Sequence, residues 1–164
     1  MGLHFNIPES HVKDVAAREH LRRLWWTSYI IEHTCAVNSG QMVWIQDDEI
    51  LVDFPSDVGL TDAQKSDFLK ASCMRATIQL ARISRRIMSS LYGRGRHGEP
   101  FLKRVQSGLR DLKQWFETLP EDLTPDSQEG NSQLEHIKSL HLLFNQVRMR
   151  DSFHVMAPPN IFSA

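Results

Sequence analysis

The chain predicts an all-α fold, and three observations carry that prediction. Leu102, Val105, Leu109, Leu112, Phe116 and Leu119 recur at alternating steps of three and four, the spacing of one helical face. Thr61-Asp62-Ala63-Gln64 has the form of a capping box, a hydroxyl cap with Gln three residues later, ahead of a long apolar-periodic run. No βαβ pattern and no internal repeat competes with this helical spacing. The expected architecture is a multi-helix, bundle-like domain with long loops.

Met1 to Pro8 reads as a short lead-in. The first long helix is expected from about Ser10 to Val37, with Leu21, Leu24, Trp25, Ser28, Ile31 and Cys35 on one face. Trp26 and Ile30 lie beside that face, so the apolar stripe is wide enough to pack on two sides. Glu19 stands at helical neighbour spacing from Arg22 and Arg23. Gly40 suits the chain reversal that follows. Ile50, Val52 and Phe54 alternate with Leu51 and Asp53 as an extended segment, which Pro55 stops. A second helix is expected from Asp62 to about Tyr92, supported by Phe68, Met74, Ile78, Ala81, Met88 and Leu91 and ended by Gly93. Pro120 ends the third helix, and Glu121 to Ser132 reads as a flexible surface loop. Leu134, Ile137, His141, Phe144 and Val147 mark a fourth helix. The tail holds Pro158-Pro159 and reads as frayed.

Composition sets the class. The 164 residues suffice for one domain with a real core. A hydrophobic fraction of 41% and a charged fraction of 24% are ordinary for a globular protein. The net charge of −1 provides no global field towards nucleic acid or anionic lipid. No apolar run approaches a membrane span and no secretory signal pattern is visible, so no membrane partner is expected. Cys35 and Cys73, both in helical patterns, read as buried, inert thiols of a reduced compartment.

Four constellations were weighed for chemistry. Gly93-Arg94-Gly95-Arg96-His97-Gly98 has the spacing of a phosphate loop. It follows a helix where such a loop needs a strand, so it reads as a solvated turn. Arg82, Arg85, Arg86, Arg94, Arg96, His97, Lys103 and Arg104 form the most basic region. No aromatic residues interleave for base stacking, which favours a solvated helix face over a nucleic-acid patch. Eight histidines give no His-x-x-x-His pair; His136 and His141 lie five apart and point to different faces. His141, on the apolar side of its helix, reads as a satisfied core histidine. Asp47-Asp48-Glu49 with Asp53 lacks a partner nucleophile and reads as an exposed turn. Its carboxylates are placed to pair with Arg22 or Arg23 and pin the extended segment to the first helix. No catalytic residue and no metal site is assigned.

The stretch Arg22 to Pro55 carries a further signal. It runs through Arg22-Arg23-Leu24-Trp25-Trp26, Tyr29-Ile30-Ile31-Glu32-His33, Gly40, Asp47-Asp48-Glu49 and Pro55. This order resembles the regulatory domain of fungal transcription factors, the middle homology region of binuclear zinc cluster proteins. That family shows a basic pair, an aromatic pair, an aliphatic run, an acid-base dipeptide, Gly-Arg-Pro, an acidic patch and Pro. Gly2-Leu3-His4, Leu80-Ala81-Arg82-Ile83 with Leu91-Tyr92, Leu109 to Pro120 around Trp115, and Leu140-His141-Leu142-Leu143-Phe144-Asn145-Gln146 resemble further family segments in family order. Glu32-His33 stands where Asp-Arg is common, and Gly40-Gln41-Met42 where Gly-Arg-Pro is common. After Gln146, Arg148-Met149-Arg150-Asp151 departs from the family pattern.

The resemblance implies a partial regulatory domain over residues 1–150, with a divergent or frayed tail over 151–164. It implies a nuclear protein acting in transcription regulation, with Arg22, Arg23, Trp25, Trp26, Tyr29, Gly40, Asp48, Pro55, Trp115 and His141 as signature and structural positions. DNA is then a partner only at the level of the family, through a zinc cluster outside this chain. Two cysteines cannot supply that cluster's six thiolates, so zinc is implied only for the missing module and no cofactor for this chain. Protein partners, or the parent protein's own domains, are the expected contacts, and dimerisation is left open. The alternative is a stand-alone helical adaptor that binds proteins through the Leu102–Leu119 face or the fourth helix. An enzyme is not expected.

Overall fold

A computed structural model of the chain describes residues 10–39, 45, 47, 50–92, 98–124 and 131–156. Among them five α-helices occur: α1 (Val15–Ser39), α2 (Asp62–Asp67), α3 (Ala71–Tyr92), α4 (Phe101–Glu117) and α5 (Asn131–Met156). A 3₁₀ turn, Glu121–Leu123, precedes α5. The class is all-α, as the spacing predicted.

Local chemistry sets the helix starts. Asp14 accepts the N–H groups of Ala16 and Ala17, each at 3.2 Å, and so caps α1. The cap moves the start five residues beyond Ser10. The capping box at Thr61 is formed in both directions, and α2 follows it. Pro100 precedes α4, where a missing N–H costs nothing, and its carbonyl accepts from Lys103 and Arg104.

The expected single helix from Asp62 to Tyr92 is two helices. Phe68 is extended (φ −108°, ψ 149°), and α3 begins afresh at Ala71. Tertiary groups satisfy the break: Asp57 accepts the Ala71 N–H at 3.2 Å, and the Leu69 carbonyl accepts from Arg23. The expected surface loop after Pro120 is also revised. Leu123 is fully buried, and the 3₁₀ turn inserts it into the core. Helix α5 continues without a break through Met156.

Helix α3 is the shared wall of two cores. Cys73, Ala76, Leu80, Ile83 and Ile87 face α4 and α5, where they meet Leu112, Trp115, Leu123, Leu140, Phe144 and Val147. Met74, Ile78 and Ala81 face the other way, onto Trp25, Trp26, Tyr29 and Val52. Leu69 packs against both. Helix α4 buries Val105, Gly108, Leu112 and Trp115. Leu102 and Phe116, expected on its packed face, are 54% and 39% exposed. The inner seam is therefore occupied within the molecule, and Leu102 and Phe116 form its exposed edge.

Trp115 anchors the larger core. Its indole N–H donates to the Ala76 carbonyl at 3.2 Å, and its ring stacks on Phe144 at 5.6 Å. We predict that Trp115→Ala lowers unfolding stability by about 3–5 kcal/mol, whereas Leu102→Ala changes it by no more than about 0.5 kcal/mol. Denaturant midpoints at unchanged slope measure both; equal losses would show that the packed seam is assigned wrongly.

Candidate functional site

Among the described residues, Arg22 and Arg23 of the Arg22 to Pro55 stretch join Glu19, Ser56 and Asp57 in one knot between α1, the extended segment and the α2–α3 corner. Glu19 is its centre, with 3% of its side chain exposed. It accepts from Arg22 Nη1 at 2.6 Å, from Arg23 Nε at 2.7 Å and from the Ser56 N–H at 3.0 Å. Arg23 divides its donors among three segments. Nε goes to Glu19, Nη2 to Asp57 at 2.7 Å, and Nη1 to the Leu69 carbonyl. Its guanidinium also lies 4.8 Å from the centre of the Phe68 ring. This contact accompanies the break at Phe68, beside the bonds to Leu69 and Ala71. Asp57 places its second oxygen on the first N–H of α3, where the helix dipole favours negative charge. Gly59, at φ +82°, makes the turn that returns the chain beneath α1; a Cβ there would stand 3.3 Å from Val15.

An aromatic ladder continues along the buried face of α1. Trp26 donates its indole N–H to the Asp53 carbonyl at 2.8 Å and stacks on Phe54 at 5.1 Å. Arg82 from α3 lies over both rings, at 5.4 and 5.0 Å. Trp25 meets Trp26 edge-on at 4.7 Å. Pro55 is fully buried. Tyr29 donates to Asp47 Oδ1 at 2.5 Å, and Asp47 Oδ2 pairs with Arg85 at 3.0 Å. A second bridge thus ties α1 to α3. Burial, then the bond to Asp47, holds the Tyr29 phenol well above its ordinary range. His33 stacks on Tyr29 at 3.8 Å between ring centres. Its Nδ1–H donates to the Tyr29 carbonyl at 2.8 Å, since a carbonyl can only accept. Burial lowers its pKa from the ordinary 6.5, so the imidazole is neutral at pH 7.

The signature positions thus separate. Arg22, Arg23, Trp25, Trp26, Tyr29 and Pro55 join the knot and ladder. Trp115 and His141 belong to the other core, where His141 Nε2 donates to the Leu123 carbonyl at 2.9 Å. Gly40 and Asp48 lie outside the described residues, as do Gly2 to His4, Gly93 to His97 and Pro158-Pro159. Of the expected carboxylate pairings, Asp53 approaches Arg22 at 3.9 Å, whereas Asp47 pairs with Arg85 and the partner of Arg23 from this side is Asp57. Sequence reasoning missed Asp57, which follows Pro55 in a turn and carries no periodic signal, and Arg82 and Arg85, which read as solvated.

The buried face of α1 also differs from the expected one. Glu19, Arg23, Trp26, Tyr29, His33 and Ala36 are buried, whereas Leu24 and Ile31 are 46% and 57% exposed. Cys35, expected to be buried, is exposed. Cys73 is buried, and desolvation pushes its thiol up to about 11. Tyr29, His33 and Cys73 are all held neutral at pH 7, chiefly by burial. Among the described residues no group of three or more His, Cys, Asp or Glu is arranged to hold a metal ion. No helix among them is long and apolar enough to cross a membrane.

The site is therefore a cross-braced packing element in a helical domain, built from buried ion pairs and stacked rings. The chain belongs to the fungal specific transcription factor domain family, whose sequence model matches residues 1–124. It is 25% identical over 138 residues to an ABC-transporter-regulating transcription factor of Aspergillus fumigatus, a match covering 77% of this chain and 15% of the relative. The same figures hold for a protein of that description in Aspergillus oryzae. An uncharacterized transcriptional regulatory protein of Schizosaccharomyces pombe is 25% identical over 122 residues, covering 73% of this chain and 15% of its own length. The chain thus spans about 15% of the length of these relatives. No solved structure matches.

Two predictions follow from the geometry. Glu19→Gln leaves the Arg23 charge buried with only Asp57 to balance it, and should cost about 3–5 kcal/mol. In a double-mutant cycle with Arg23→Met, the coupling should be at least about 1 kcal/mol; additive losses would show that the pair does not act as a unit. His33 has a depressed folded-state pKa, so the unfolded chain binds its proton more readily. Its contribution is complete above the ordinary value of 6.5 and falls as pH drops below it. The difference in stability between wild type and His33→Leu should therefore shift against wild type between pH 7 and pH 5. A pH-independent difference would exclude the linkage.

Proposed function

We propose that the chain is a regulatory and interaction segment of a fungal zinc cluster transcription factor that acts in the nucleus by packing and contact, without covalent chemistry. The family match and the regulatory relatives support the class. The observation that carries the mechanism is the inward use of the arginines. Arg22, Arg23, Arg82, Arg85 and Arg104 are turned onto carboxylates, carbonyls or rings of this chain. A DNA-binding face would instead present such cations to phosphates. In this reading DNA is bound by a separate zinc cluster of the parent protein, and zinc belongs there. Helices α1 and α3 supply a rigid body whose state the parent protein reads.

Two measurements test this. Fluorescence anisotropy of the chain with labelled duplex DNA at low ionic strength should show no saturable binding; salt-sensitive saturable binding would overturn the assignment of DNA contact to another module. Fused to an unrelated DNA-binding module in a fungal reporter strain, the chain should change reporter output relative to the module alone, and Glu19→Gln should abolish the change. Output equal to that of the bare module would refute the regulatory role.

A further inference from the structure

A cavity of about 660 Å³ lies between α1, the α2–α3 corner and α5. Its volume is within the roughly 300–1,000 Å³ of small-molecule sites. Ile30, Leu69, Met74, Leu140 and Leu143 form apolar walls. Ile31 and Leu142, 57% and 61% exposed, flank the opening.

The polar groups on the wall narrow the chemistry of an occupant. Thr27, Thr34 and Thr77 also line the space. Each hydroxyl donates to a carbonyl one turn back, those of Arg23, Ile30 and Cys73, at 2.8, 2.8 and 2.9 Å. Their protons are committed, and what remains for a ligand is methyl surface and oxygen lone pairs. Arg23 reaches the wall with its charge balanced by Glu19 and Asp57. The other charged or titratable side chains on the wall, His20 and Asp67, are both solvent-exposed, so the buried part of the wall offers no unbalanced charge to an anionic or a cationic ligand. The buried Cys73 thiol is protonated and behaves as an apolar surface.

We propose that this cavity binds a neutral, largely apolar small molecule able to donate a hydrogen bond to a threonine oxygen. Bound there, it bridges α1, α3 and α5 and stabilises their arrangement in proportion to its occupancy. Its use as a regulatory input rests on the transcription-regulator reading; its occupancy does not.

Nile red, a neutral apolar dye that brightens out of water, serves as the probe with the full chain. Wild type should bind it saturably at one site per chain and melt higher in its presence. Thr77→Leu fills the cavity while keeping a good helix former and should weaken binding about tenfold. Thr27→Leu, on the opposite wall, is the second variant should the first fail to fold. Undiminished binding by a folded variant, or no saturable binding by wild type, overturns the proposal. So does a wild-type dimer in sedimentation that Leu142→Glu dissociates, because the cavity would then be an interface between two copies. Reporter output from the fusion is read separately. Absent dye binding by wild type with intact output overturns the cavity alone, and absent output with intact wild-type binding overturns the regulatory reading alone.

Discussion

The buried Glu19–Arg23 pair fixes the relation of three otherwise independent segments. Arg23 belongs to α1, Asp57 to the turn after the extended segment, and Leu69 to the corner between α2 and α3. One guanidinium reaches all three because its donors are set in a rigid planar fork, which a lysine could not reproduce. A buried ion pair is a poor source of net stability, since desolvation offsets most of the attraction. What it does supply is register. With Glu19 also holding the Ser56 N–H, a shift of the 50–57 segment along α1 would leave a buried charge without its partner.

The second constraint is that α3 serves both cores. Cys73 and Met74 are neighbours in sequence yet face opposite clusters, and Ala76 and Ala81 let the flanking helices come close. The Asp47 carboxylate bridges Tyr29 of α1 to Arg85 of α3, and the Trp115 indole bridges α4 to the α3 backbone. Leu69 packs on both clusters at the point where Arg23 holds its carbonyl. Loss of the knot would therefore loosen both cores at once, which is the physical basis for expecting one cooperative unfolding transition.

Much of the fold was legible because helical spacing is local. The α4 seam, the capping box at Thr61 and the stop at Pro120 need nothing beyond their own neighbours. The failures share one cause. A sequence reading places apolar residues inside and charges outside, so the α1 face was assigned to Leu24, Ile31 and Cys35. Glu19, Arg23 and His33 are buried instead, because each finds a partner from outside the pattern or one turn away. The break at Phe68 was invisible for the same reason: local propensity continues the helix, and the groups that accompany the break, Arg23 and Asp57, come from elsewhere in the chain. Glu19's pairing with Arg22 and Arg23 was readable from spacing of three and four, but Asp57's role was not.

The misplaced face of α1 itself carries information. Leu24 and Ile31 keep the period of a packing surface although the knot and ladder occupy the other side of the helix. Single exposed apolar residues are ordinary on a folded surface, but Ile31 has a further setting. It lines the α1–α5 cavity together with Leu142 and is 57% exposed. The helix is thus divided by chemistry. Its charged and aromatic face fixes the domain's internal register, and its aliphatic flank is left to line a space of small-molecule size. Because Arg23 and Thr27 border both the knot and the cavity, an occupant would press on the same turn of α1 that holds the α2–α3 corner.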